Sequence, residues 1–138
     1  MANRLYDPFV NSYMTQAANQ VNLATGDIRA ILVDAAGYTP DTANHDFLND
    51  VPGGARVGSA VALTGKSVTG RVFDAADTTF TGVSGAQFEY LILYNHTGTE
   101  STSRLIAIFD SAIGLPMTPS GSDIIAQWDN GANKIFRL

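Results

Sequence analysis

The sequence predicts a mainly β protein, namely a single antiparallel β-sandwich (jelly-roll-like) of about eight short strands with an N-terminal helix or arm. Glycine, proline and Asn/Asp turn signals recur every 8–12 residues or so, which is typical of a sandwich or a barrel-like fold. Eleven of the 13 acidic residues are the turn-forming Asp, whereas the helix-favouring Glu and Lys number two each. A chain of 138 residues suits one domain. We expect an arm or helix over residues 1–24 and the sandwich over 25–138. The alternation of apolar and polar residues does not distinguish a jelly-roll from an immunoglobulin-like strand order.

The first element has the pattern of an amphipathic helix. Asp7 is a suitable N-cap, and Pro8 fits the first helical position, where its missing N–H costs nothing. Apolar residues then recur from Phe9 to Ala17 at helical spacing. These signals predict a helix over about residues 8–20.

The period changes after Asp27. Residues 28–33 form a short apolar run, which predicts a buried strand. Residues 37–50 are polar and predict a connecting loop. Within that loop we expect one helical turn around residues 43–48, with Asp41 or Thr42 as its cap.

A hairpin is predicted next. Residues 55–63 alternate between branched apolar and small side chains, and residues 67–73 follow after the spacer Thr64-Gly65-Lys66. A β-branched strand is then expected over residues 78–83.

Two further hairpins complete the predicted sheet. Residues 86–94 and 103–110 are apolar at nearly every position, which indicates two central strands covered on both faces. Residues 122–128 and 133–138 flank Asn130-Gly131, the dipeptide that two-residue hairpin turns favour.

Charge is unusually scarce, because Asp, Glu, Lys and Arg make up only 15% of the chain. The net charge of −5 and the scattered cations argue against a nucleic-acid partner. No run is long enough to span a membrane, the start lacks the apolar core of a secretion signal, and there is no cysteine for a disulfide or a thiolate ligand. We expect synthesis in a cytoplasm and no membrane partner.

No residue set has the spacing of a catalytic or metal site. His45 and His96 lack the H-x-x-x-H and H-E-x-x-H patterns, and each is expected on a polar surface loop. Asp74 and Asp77 lack the alternating oxygen ligands of a calcium loop, so turn formation explains them better. Trp128 could stack on a sugar, although a partly buried core position is more frequent. We therefore expect no enzyme, no cofactor and no bound metal.

An ordered series of phrases resembles a family of small virion proteins of tailed bacteriophages. The likeness covers about residues 25–138, and the closing Trp-Asp-Asn-Gly…Lys-Ile-Phe phrase at 128–136 is its most specific part. The other phrases are Ala-Ile-Leu-Val-Asp at 30–34, Gly-Tyr-Thr-Pro at 37–40, His-Asp-Phe-Leu-Asn-Asp-Val-Pro at 45–52, Ala-Arg-Val at 55–57, Ala-Leu-Thr-Gly-Lys at 62–66, Val-Phe-Asp-Ala-Ala-Asp-Thr-Thr-Phe at 72–80, Thr-Ser-Arg-Leu-Ile-Ala at 102–107 and Gly-Leu-Pro at 114–116.

The resemblance implies a structural protein of the virion, made in the host bacterium, with no catalytic residues. By analogy of fold and size, the expected role is that of a capsid cement or decoration protein. Its partners would be the major capsid protein and its own copies, as a homodimer or a homotrimer. The alternative is a tail, baseplate or fibre component with a host-surface or glycan-binding role.

The expected interface lies at the two ends of the sequence. Interface cores are depleted in Lys and Glu and enriched in Arg and aromatic residues, which fits the excess of Arg over Lys here. The N-terminal segment is expected either as an arm laid across a neighbouring subunit or as a helix docked on its own sandwich. The candidate interface residues are Arg4, Leu5, Tyr6, Phe9, Tyr13, Phe136, Arg137 and Leu138.

Overall fold

The fold is mainly β, with antiparallel sheets and one N-terminal helix, as the sequence predicts. A computed structural model describes residues 3–111 and 114–138. Residues 1 and 2 of the predicted arm lie outside that part. One hydrophobic core joins the sheets and the helix. The elements are β1 (Arg4–Leu5), α1 (Asp7–Thr15), β2 (Ile28–Val33), β3 (Arg56–Ala62), β4 (Ser67–Thr69), β5 (Val72–Asp74), β6 (Thr78–Phe80), β7 (Tyr90–Asn95), β8 (Leu105–Phe109), β9 (Ile124–Ala126) and β10 (Phe136–Arg137).

The largest sheet has five antiparallel strands in the order β1-β8-β7-β2-β3. β2 has the bounds predicted for it, and the predicted pairing of β7 with β8 is confirmed. Nearly every residue of β2, β7 and β8 is buried, so these strands are covered on both faces. Their unbroken apolar runs follow from that double burial.

Two small sheets accompany the large one. β10, β5 and β4 form a three-stranded sheet in that order, and β6 pairs with β9. The described residues contain ten strands rather than about eight. A two-residue strand precedes the helix, and the strand predicted over 67–73 is divided by a turn at Gly70 and Arg71.

The hairpins predicted over residues 55–73 and 122–138 are wrong, because in neither case do the two predicted strands pair with each other. The segments on either side of Asn130-Gly131 pair with β6 and β5 rather than with each other. Trp128 donates its backbone N–H to Asp77 Oδ1 at 3.0 Å, which continues the β6–β9 pairing. The spacer at residues 64–66 likewise joins two different sheets, since β3 pairs with β2 and β4 pairs with β5.

Helix α1 is shorter than predicted. It begins at Asp7, with Tyr6 rather than Asp7 in the N-cap position, and Pro8 lies in its first turn as expected. It ends at Thr15 instead of residue 20, because Gln16 adopts a left-handed conformation with φ of 52°. The chain then folds back, and Gln20 Nε2 donates to the Ser12 carbonyl at 2.7 Å. The same carbonyl accepts the backbone N–H groups of Gln16 and Ala17, so Gln20 adds a side-chain bond to an already capped helix end.

The loop before β3 contains the predicted turn in a displaced form. Asp41 Oδ1 accepts the backbone N–H groups of Ala43 and Asn44, so Asp41 caps a turn as expected. The helical turn itself is a 3₁₀ turn at Leu48–Asp50 rather than at residues 43–48. Asp50 Oδ2 accepts the Asp46 N–H at 2.8 Å and thereby closes this turn.

Candidate interaction surface

Two of the N-terminal candidate residues, Tyr6 and Phe9, belong to the core of their own chain. Tyr6 and Phe9 are 0% exposed, and Leu5 pairs with Ala107 of β8. Tyr6 and Phe9 therefore cannot contact a neighbouring subunit in this conformation, and their expectation as interface residues is corrected. Burial inside the chain already removes their apolar surface from water. Arg4 is exposed and donates to Asp7 at 3.3 Å.

The remaining candidates from the two ends of the sequence lie close together. The Phe136 ring packs edge-on against Phe9, with 6.1 Å between the ring centroids. Tyr13 packs against Phe9 from the other side, at 5.2 Å. Tyr13, Phe136 and Leu138 are half-buried, whereas Arg137 is exposed. The helix and the C-terminal strand thus form one region of the surface.

An open groove of about 630 Å³ lies in this region. The Tyr13 hydroxyl donates to the Val21 carbonyl at 2.6 Å, which ties one wall to the helix, and burial raises the pKa of Tyr13. None of the lining side chains is charged, in a protein with a net charge of −5. The groove is lined by Tyr13, Gln20, Val21, Asn22, Leu23, Ala24, Val68 and Leu138.

A buried arginine holds the N-terminal segment against the sheet. Arg104, only 6% exposed, donates to the carbonyls of Asn19, Ala18 and Pro8 at 3.0, 3.2 and 3.3 Å. Its guanidinium carbon also lies 4.7 Å from the centre of the Phe47 ring. Burial lowers the pKa of Arg104, and the nearby Asp46 carboxylate acts in the opposite direction. Arg104 thereby positions the wall of the groove.

Other arginines also bind groups of their own chain. Arg56 forms an ion pair with Glu100 at 2.6 Å and donates to the Val51 carbonyl. Arg71 Nε donates to the Leu138 carbonyl oxygen at 2.6 Å. A planar, multi-donor guanidinium suits such contacts, so intrachain bonding accounts for much of the excess of Arg over Lys.

A buried network links the N-terminal segment to the loop before β3. The hydroxyls of Tyr6 and Tyr38 are 3.0 Å apart, and the Tyr38 hydroxyl lies 2.9 Å from His45 Nδ1. The Asp41 N–H donates to the same nitrogen, which makes Nδ1 an acceptor and puts the ring proton on Nε2. Burial raises the pKa of Tyr38 to about 12 and raises that of Tyr6 still further.

This network was not predicted from the sequence. His45 was expected on the surface of a loop, but its ring lies beside that of Tyr38, with 5.4 Å between centroids. The sequence contains no spacing signal for it, since Tyr6 and Tyr38 are 32 residues apart. The apolar neighbours of Tyr6 show only that it is buried, and do not reveal its partner.

The residues considered as possible calcium-binding or sugar-binding groups make structural contacts within the chain. Asp77 Oδ1 accepts the Trp128 N–H, which is a long-range contact beside the β6–β9 pair rather than the local turn that the sequence predicts. Trp128 is half-buried against Phe109, with 5.8 Å between the ring centroids. Across residues 3–111 and 114–138, no group of three or more His, Cys, Asp or Glu side chains is placed to hold a metal ion.

No family model matches the chain, and no curated protein sequence matches it. In the part of the chain that the structure describes, no helix has the length and apolar character needed to cross a membrane. The geometry offers an uncharged groove, held by intrachain hydrogen bonds, that can bind a surface of another molecule by apolar and neutral polar contact.

Proposed function

We propose that the protein is a structural component of a tailed-phage virion that binds the major capsid protein shell as a cement or decoration protein. The ordered phrases over residues 25–138, and above all the closing phrase at 128–136, support membership of that class. An antiparallel β fold of this size is common among phage proteins of that kind.

The observation that carries the proposal is the uncharged groove between α1 and β4. Protein interfaces lose Lys, Glu and Asp from their centres and gain aromatic residues, and the groove follows this composition with Tyr13 as its aromatic member. The partly buried Leu138 provides apolar area at its margin. Arg104 fixes the N-terminal wall, so little conformational entropy is lost when a partner binds.

The mechanism is passive. A protein that binds only the assembled shell lowers the free energy of that shell relative to its dissociated subunits. Several hundred copies then add their contributions around the particle. No catalytic step is required, and the acidic turns outside the groove remain in solvent.

Quantitative mass spectrometry of purified particles tests the location. We expect hundreds of copies per virion, whereas a few dozen or fewer would reject the shell and favour a tail, baseplate or fibre. Particles that contain the protein should release DNA at a higher temperature than particles that lack it. Equal release temperatures would reject the cement role.

Substitutions at exposed alanines test the groove. Ala24→Asp introduces a charge into the groove and should reduce the number of copies bound to the capsid, because the charge would be desolvated there. Ala86→Asp is the matched control, since Ala86 is exposed and lies outside the groove. Equal occupancy of both variants would show that the capsid-binding surface lies elsewhere. Deletion of residues 1–9 is a poor test, because it removes core residues Tyr6 and Phe9.

A further inference from the structure

Strand β4 is an uncovered edge of the three-stranded sheet. It is the last strand in the order β10-β5-β4, and all three of its residues are exposed. Proteins usually protect such edges with charge, proline or a bulge. Ser67, Val68 and Thr69 provide none of these.

The backbone groups of Val68 point toward the free edge. The two-residue turn at Gly70 and Arg71 makes Thr69 and Val72 the closing hydrogen-bonded pair of the hairpin. Val68 and Phe73 are the next pair, which is not hydrogen-bonded, and the Phe73 carbonyl accepts the Ile135 N–H on its other side at 3.1 Å. The N–H and C=O of Val68 are therefore directed away from β5.

Val68 also ends an apolar row across the sheet. Phe136 pairs with Phe73, and Phe73 pairs with Val68, so the three side chains lie on one face. The Phe73 and Phe136 rings are 5.4 Å apart, and both contribute to the core, but Val68 is 48% exposed at the end of the row. Within residues 3–111 and 114–138, no further strand continues the row on its outer side.

We propose that a second copy of this chain covers the β4 edge, and that the two β4 strands pair antiparallel about a two-fold axis at Val68. Each Val68 then donates its N–H to the carbonyl of the other and accepts a hydrogen bond in return. The two three-stranded sheets become one six-stranded sheet, and the apolar row continues without interruption into the second copy. A two-fold interface of this kind is self-complementary and closed.

The charges are compatible with this pairing. About the axis at Val68, Ser67 faces Thr69 of the second copy, so every side chain of the paired strands is uncharged. Two chains that each carry −5 repel one another elsewhere, so an uncharged strand is a favourable place for their contact.

The second short edge strand provides a matched comparison. Ile125 is the middle residue of the three-residue strand β9 and is 58% exposed. Its partner across the strand pair is the exposed Thr79 rather than a buried aromatic residue. Pairing at β9 would therefore extend no apolar row.

Because the chain has no cysteine, single cysteines report the pairing directly. A hydrogen-bonded antiparallel pair places its Cα atoms about 5.5 Å apart, which is within the range for a disulfide. Under mild oxidation at micromolar concentration, V68C should form a disulfide-linked dimer at least about tenfold faster than I125C. Equal rates, or faster crosslinking of I125C, would overturn the proposal.

Sedimentation of the unmodified chain gives the second measurement. We expect a dimer that Val68→Asp converts to a monomer with an unchanged circular dichroism spectrum, whereas Ile125→Asp leaves the dimer intact. A monomer at high concentration, or a trimer, which has no two-fold axis, would overturn the inference. The proposed dimer does not depend on a role in the virion. Only one consequence rests on the proposed function, namely that a capsid-bound dimer would present two grooves to the shell.

Discussion

Arg104 illustrates how one residue holds two distant parts of the chain together. This buried residue immediately precedes β8, yet the three hydrogen bonds of its guanidinium all go to carbonyls of residues 8–19. Those carbonyls lie outside the regular pairing of the sheets. A single guanidinium therefore replaces the water that they would otherwise require.

Replacement of this arginine should loosen the N-terminal segment. Arg104→Met keeps the apolar stem but leaves the carbonyls of Ala18 and Asn19 without their donor, so we expect a loss of about 2–4 kcal/mol in the free energy of unfolding. Urea denaturation measures the loss, and hydrogen exchange should show faster exchange in α1.

The control is an exposed ion pair. Arg29 and Asp27 are 2.8 Å apart, with side chains 32% and 40% exposed, and such pairs contribute about 1 kcal/mol at most. Arg29→Met should therefore change stability far less than Arg104→Met. Similar losses in the two variants would contradict the importance of the buried contacts.

The buried tyrosines make the protein sensitive to alkali. The pKa of Tyr38 is raised to about 12 by burial, whereas an unfolded tyrosine titrates near 10. The folded state holds the proton more tightly, so the stabilising effect is complete below about pH 10 and is lost as the pH rises toward 12. We expect the urea midpoint to fall over that interval.

Tyr38→Phe identifies the source of this dependence. Phenylalanine has no proton to lose, so the urea midpoint of the variant should fall less steeply between about pH 10 and 12 than that of the parent chain. Part of the slope should remain, because burial also raises the pKa values of Tyr6 and Tyr94. An unchanged slope would mean that Tyr38 does not contribute.

Among the elements, β3 shows how a strand accommodates extra residues. Its register against β2 shifts between the pairs Ala30–Val61 and Leu32–Val57, so more residues of β3 than of β2 occupy that interval. Gly58 lies there with φ of 72°, a conformation that L side chains rarely adopt. The glycine permits the bulge.

An alanine at this position should destabilise the fold through the backbone alone. A Cβ on Gly58 would have ordinary contact with Val83 at 3.5 Å, so steric overlap is absent. The left-handed conformation should nevertheless cost about 1–2 kcal/mol in unfolding free energy. Gly53→Ala is the control, because Gly53 has open space around it and no positive φ; a similar cost there would refute this explanation.

For the whole molecule, the sequence predicts strands better than it predicts their partners. β2, β7 and β8 follow from unbroken apolar runs, since a strand buried on both faces needs apolar residues at every position. β9 and β10 are too short to determine a partner locally. The pairing of β10 is accompanied by the apolar contacts that Phe136 makes with Phe9 and Phe73, which no local turn signal reveals.

The candidate surface was predictable to a similar extent. Tyr13 and Leu138 were selected from the sequence and do line the groove. Val68 was not selected, because its exposure follows from the free edge of β4 rather than from its own neighbours. Tyr6 and Phe9 were selected as interface residues, but the apolar face to which they belong packs against their own chain. An apolar stripe alone does not show which surface it will cover.

The contact between Phe9 and Phe136 has a consequence for how the molecule folds. The two residues are 127 positions apart in the sequence, and β5 likewise cannot pair with β10 until residues 136–137 are in place. Closure of the core therefore requires a very long loop of chain to be ordered. Topologies with such non-local contacts fold slowly, and the incomplete core exposes apolar surface in the meantime. The helix is thus synthesised well before the strand that encloses it, so a chain interrupted before residue 136 would remain open and prone to aggregate.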